Sequence, residues 1–238
     1  MLGRIEVPSN VKLASYEIDV RLDGEYLTYR RIDTATGAER QYVLSRGIEL
    51  RLVPMYPIFY PRFITQFILC KLEREIVVAP GASIRVALEI PVDIAVYAYS
   101  GNSFKILDIL TIHRDAKYVL YGTTYSGTVA RFCLARFVES IDRLEFGYAY
   151  MPLLIKNCMG RVARVSKVLL DASPLRLYYR EGSLWYVTTQ SITMNIVTET
   201  SAIVYYDKPV DPRATPIDDP ENLRPPRVYN RTDMLQGY

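Results

Sequence analysis

The chain has 238 residues, half of them hydrophobic and 23% charged, with a formal net charge of +3 and a pI near 8.6. That length suits one large domain or two small ones. The charge is mild and dispersed, with Arg30-Arg31 as the longest basic run, which argues against a nucleic-acid-binding stripe.

Hydrophobic periodicity is almost everywhere two. Tyr16–Leu22 alternates apolar and polar residues, and Asp23-Gly24 supplies the chemistry of a tight hairpin turn. Strands follow at 25–33, 40–45 and 47–55, and the four segments read as a meander. Residues 56–63, Tyr-Pro-Ile-Phe-Tyr-Pro-Arg-Phe, carry two prolines and cannot form a central strand. The expectation is an extended aromatic connector held off the sheet.

From Phe63 the strand pattern resumes at 63–73, 74–78, 83–90, 92–99, 103–112, 117–122 and 127–138. The last is apolar on both faces, as in a doubly covered strand. Seven strands in this span predict an immunoglobulin- or fibronectin-like sandwich. Residues 139–145 are the one helical turn, and strands return at 146–157, 160–171, 175–180, 183–197 and 201–207. These C-terminal strands are expected to pair with those of 1–55, because neither terminal half holds a comfortable core of its own. Residues 209–238 contain six of the 14 prolines and no sustained periodicity, and predict a disordered or extended tail. The expected architecture is therefore all-β, an antiparallel sandwich. It has an N-terminal meander with connector (1–62), a central unit (63–138), C-terminal strands (139–208) and a Pro-rich tail (209–238).

The residues that carry chemistry are sparse. His113 is the only histidine, so a triad would have to join it to Asp115 and to Cys133 or Cys158; a turn histidine bonded to its own backbone is the favoured reading. Cys70, Cys133 and Cys158 have neither disulfide-framework nor metal-site spacing. They are read as small buried hydrophobes, with one bridge among them left open. No phosphate-cradling loop or nucleophile elbow is present. Asp93, Asp108, Asp115 and Glu89 are read as surface acids or ion-pair partners rather than a glycosidase pair. No cofactor and no metal are expected.

The 20 tyrosines are the most informative side chains, being large, rigid and amphipathic. Tyr97 and Tyr99 fall on the strand face opposite Ile94 and Val96. With Tyr56, Phe59, Tyr60 and Phe63 of the connector they form the candidate interaction surface. Arginine outnumbers lysine 22 to 7, and only four glutamines occur. Both biases fit ion-pair networks at high temperature and an archaeal hyperthermophile, although GC-rich codon usage produces the same arginine excess.

No stretch nears the roughly 18 apolar residues of a membrane helix. The opening Met1-Leu2-Gly3-Arg4-Ile5-Glu6 lacks a signal-peptide layout, so the expectation is a cytoplasmic protein.

Glu89–Val96, Lys117–Thr124, Ser126–Phe132 and the opening Gly3–Glu6 resemble the uncharacterised archaeal domain-of-unknown-function family 432. The resemblance spans most of the chain. It implies an archaeal source, and it brings no established activity and no catalytic residues. Through relatives near mechanosensitive-channel proteins it also implies a membrane-protein partner. The functional expectation is a non-enzymatic interaction or assembly module, binding another protein or a copy of itself through the tail or connector. The alternative is a hydrolase or carbohydrate-binding module using carboxylates and tyrosines on one sheet face.

Overall fold

Short alternating segments joined by turns leave this chain little option but strands, and the computed structural model is built of them. It describes residues 2–59, 63–115, 117–183 and 185–217. In the N-terminal part, β1 (Gly3–Arg4) is followed by β2 (Ser9–Leu13), β3 (Tyr16–Asp23), β4 (Tyr26–Asp33), β5 (Glu39–Ser45) and β6 (Glu49–Met55). The turn between β3 and β4 places Gly24 at φ +62°, a conformation that costs glycine nothing. Strands β2 to β5 form one antiparallel meander. β6 leaves it, because both faces of its second half, Leu52–Met55, are apolar and only a middle layer buries both.

That middle layer holds β1, β6, β9 (Asp93–Ser100) and β10 (Ser103–Leu110) in the order β1-β6-β9-β10. Leu50 and Leu52 of β6 and Ile94 and Val96 of β9 join Ile18, Val20 and Leu27 of the meander in a smaller core. Val53, Met55, Ala95 and Tyr97, on the opposite faces, join a larger core. The doubly covered strands are thus β6 and β9, not 127–138.

The third layer contains β7 (Phe67–Val78), β8 (Ser83–Pro91), β11 (Lys117–Tyr121), β12 (Thr128–Phe137), β13 (Tyr148–Asn157), β14 (Ala163–Asp171), β15 (Leu177–Tyr179), β16 (Val187–Ile196), β17 (Ala202–Pro209) and β18 (Thr215–Pro216). Its path runs β14-β7-β12-β8-β13-β16-β15-β18, with β11 beside β12 and β17 beside β16. Pairing is antiparallel except for β12 with β7 and β13 with β16, which run parallel. The helical turn expected at 139–145 is a single 3-10 turn, Ile141–Arg143.

Two sequence expectations differ from this pairing. The strands after residue 139 join β7 and β8, not the N-terminal strands. Among the described residues no ladder joins them to the N-terminal strands, although Leu2 exchanges two backbone hydrogen bonds with Gly182 and Ser183, each 3.0 Å, and Arg4 N–H donates to the Glu181 carboxylate at 3.4 Å. The strands of 63–138 divide between the middle and large layers, so they do not make a unit by themselves. Alternation sets which face of a strand is buried but carries no information about which strand lies beside it, and this explains both differences. The start of the tail is placed: Thr215–Pro216 pairs with Tyr178 and Tyr179, and Ile217 N–H donates to the Leu177 carbonyl. The remainder of the Pro-rich segment, 218–238, lies outside the described residues.

Candidate functional site

The path β14-β7-β12-β8-β13-β16-β17 curls around one apolar interior. Ile68, Cys70, Ala135, Met151, Val168 and Ile192, from five of its strands, share the same core. Among the described residues, no ladder joins β14 to β17, the two strands at its ends. They face each other across a cleft of about 700 Å³ that is lined by the length of β14, by Met194 and Ile196 of β16, and by the turn into β17 with Ala202 and Val204. The curl is an open barrel, and this cleft is its seam.

The seam is pinned at both ends. At one, Arg161, just before β14, pairs with Glu199 in the turn into β17 at 2.8 Å. At the other, the Tyr206 hydroxyl donates to the Asp171 carbonyl at 3.0 Å. Between these ties the floor is apolar, formed by buried Ala163, Val165, Val168, Met194 and Ile196. The ladder of β14 with β7 shifts register between Val165 and Lys167, where residues 72–75 of β7 stand opposite the single exposed Ser166. A lysine on a free edge opposes indiscriminate strand pairing.

The candidate aromatic residues lie elsewhere. The connector is not held off the sheet: Tyr56 and Phe59 are each 6% exposed and Tyr97 is fully buried. An extended segment rich in aromatic side chains gains more by covering a core than by facing water, and its prolines prevent only ladder pairing. Tyr56, Phe59 and Tyr97 meet Pro216 and Ile217 around a second cleft of about 240 Å³. Phe63 stacks on Phe59 with centroids 5.8 Å apart. Tyr99 packs on Phe104 at 5.3 Å and lies under the Arg51 guanidinium at 4.7 Å. Tyr60 lies outside the described residues.

The structure separates the groups that a triad would need. His113 bonds the backbone, but of a distant segment: Nε2 lies 2.7 Å from the Gly147 carbonyl, and the ring meets Tyr148 edge-on at 4.7 Å. Burial pushes its pKa down. Cys133 lies against Cys70, and Cys158 is exposed.

Asp108 and Glu89 each engage their own arginines, whereas Asp93 and Asp115 both lie beside Arg131. Asp108 is buried in an ion pair with Arg31 at 2.9 Å, a second with Arg40 at 2.9 Å, and a hydrogen bond from the Tyr29 hydroxyl at 3.2 Å. Glu89 pairs with Arg136 at 2.8 Å. Asp93 accepts the Ile112 N–H at 2.9 Å, and burial pushes its pKa up to about 6. The Asp115 carbonyl accepts from the Arg131 guanidinium at 3.4 Å. None of the four lines either cleft. Among the described residues, no three His, Cys, Asp or Glu side chains are gathered as a metal site would need, and no helix is long and apolar enough to cross a membrane.

Sequence reasoning missed the seam. The available signal was in 160–171 and 201–207, two strands each with an exposed, half-polar pattern suited to an edge. No curated protein and no solved structure matches the chain. One family matches residues 1–235, the one described as "Protein of unknown function (DUF432)", and the chain belongs to it.

Proposed function

We propose that this protein is a non-enzymatic interaction module that holds an extended polypeptide segment of a partner in the open seam, as a strand added between β14 and β17. The observation that carries this reading is a cleft with an apolar floor and a polar rim, bordered by two strand edges that no ladder joins. Unpaired edges offer backbone donors and acceptors in the spacing another strand requires, and pockets beneath them select alternate side chains. The floor calls for apolar residues at every second position of the bound segment. The reading is further supported by the engagement of Asp108 and Glu89 with arginines, away from both clefts, which leaves the hydrolase alternative without an acid pair in a groove. In this reading the connector aromatics brace the barrel and do not touch the partner. The partner is another protein, a membrane protein included, in an archaeal, hot cytoplasm. Surface pairs such as Arg30–Glu39 and Arg143–Glu139 accord with that setting.

The test is site-specific photo-cross-linking in extract of the source cells, with a photoreactive residue replacing Ser166 or Ser201 at the seam, or Val43 on the outer face of the meander. The expected result is one partner segment joined to both seam positions, and a synthetic peptide of that segment protecting β14 amides from exchange. Equal cross-linking from position 43, or cross-links only to residues 218–238 of the same chain, would sink the reading.

A further inference from the structure

We infer that Cys70 and Cys133 are a disulfide-forming pair, a modification site inside the barrel that is independent of the seam. The two residues are direct neighbours in the parallel pairing of β7 with β12. Their side chains enter the same core, and the Sγ atoms lie 3.3 Å apart, with the Cys133 thiol donating to Cys70. Neighbouring strands stand about 4.8 Å apart, within the roughly 4.4–6.8 Å between Cα atoms that a disulfide spans. Forming the bond therefore requires the sulfurs to approach by about 1.2 Å, a side-chain adjustment, with no strand displaced. The other buried positions of this core hold Val, Ile, Leu, Ala, Met, Phe and Tyr. A matched pair of cysteines is the departure.

Access sets the order of events. Cys133 is 6% exposed and Cys70 is 0% exposed, so a hydroperoxide, no larger than a few atoms, reaches Cys133 first. The Cys133 sulfur takes one oxygen from hydrogen peroxide to give sulfenic acid and releases water. The Cys70 sulfur then attacks it, forming the S–S bond and releasing a second water, so two thiols and one peroxide give one disulfide and two waters. Contact with Cys133 and burial both hold the Cys70 thiol protonated, so the closing step quickens as pH rises. Cys158 is exposed, has no cysteine neighbour, and takes no part.

The bond would join positions 63 residues apart and restrict the unfolded chain accordingly. The test uses the full chain carrying Cys158→Ser, treated with hydrogen peroxide, unfolded, and alkylated with N-ethylmaleimide. The expected product takes up no maleimide, is about 2 Da lighter than the reduced chain, and yields one cross-linked peptide containing both cysteines. Its Tm rises by roughly 5–15 °C over the reduced form. The same treatment of Cys70→Ser/Cys158→Ser gives no such rise. Two maleimide adducts after oxidation, or Cys133 carried to sulfinic acid with Cys70 still free, would overturn the inference.

Discussion

Between the N-terminal meander and the middle layer, apolar packing ends in buried ion pairs, whereas the barrel below closes over the larger apolar core and keeps an unjoined seam. In the upper core Asp108 binds Arg31 and Arg40, and Asp33 binds Arg114, whose guanidinium lies over Tyr16 as Arg31 does. These contacts are directional, and they set the meander at one orientation on the sheet beneath it. Hydrophobic burial has no such direction. The barrel can therefore remain stable while its two end strands stay unpaired with each other, and that freedom places the candidate binding cleft there and not between the meander and the middle layer.

The comparison can be broken at several points. The largest expected effect is that of Asp108→Ala, which leaves the buried Arg31 guanidinium without its carboxylate and costs about 3–5 kcal/mol. Urea unfolding measures it, and a loss under about 1 kcal/mol would mean that water or other groups take the place of the carboxylate. In the barrel, Met151→Ala costs about 2–4 kcal/mol by cavity formation alone, without altered pH dependence, because Met151 is fully buried among apolar neighbours.

A third effect depends on pH. Asp93 has its folded pKa raised to about 6, above the ordinary value near 4. Between these values the folded protein keeps a proton that the unfolded chain releases, so this group's contribution to stability falls as pH rises through that window, by about 2–3 kcal/mol, and is level above it. His113 acts in the opposite sense: its folded pKa is depressed, so below about 6.5 the unfolded chain gains the proton first and stability falls as pH falls. Comparing the protein with Asp93→Asn at pH 4 to 7 isolates the carboxylate. A stability difference between the two that does not change with pH would contradict this assignment. The smallest stability effect belongs to Ser166→Trp on the exposed edge of β14, within about 0.5 kcal/mol. The same change fills the mouth of the seam and should abolish cross-linking from position 201.

Much of the fold was legible in sequence. Tyr16–Leu22 and Ile84–Ile90 declare their strands by strict alternation, and Asp23-Gly24 declares its turn. Layer membership was not legible. Leu50, Leu52, Val53 and Met55 show that β6 is covered on both faces, but what covers it is meander above and barrel below, and only long-range pairing decides that. The site was less legible than the fold. The connector aromatics look like a contact surface because composition alone does not show that Tyr97 is buried beneath them. The seam is made of backbone edges, which have no residue signature. The neighbouring Cys70 and Cys133 are 63 positions apart and meet only through the parallel register of β7 and β12.

The central claim, that the barrel is open between β14 and β17, is tested most directly by residue-resolved amide hydrogen exchange on the purified protein. Strands paired on one side only should show alternating slow and fast amides along 163–171 and 202–207, beside uniformly slow exchange through the middle of β13, which is paired on both sides. Uniformly slow exchange along both edge strands would show the seam closed by a ladder, and would contradict the account.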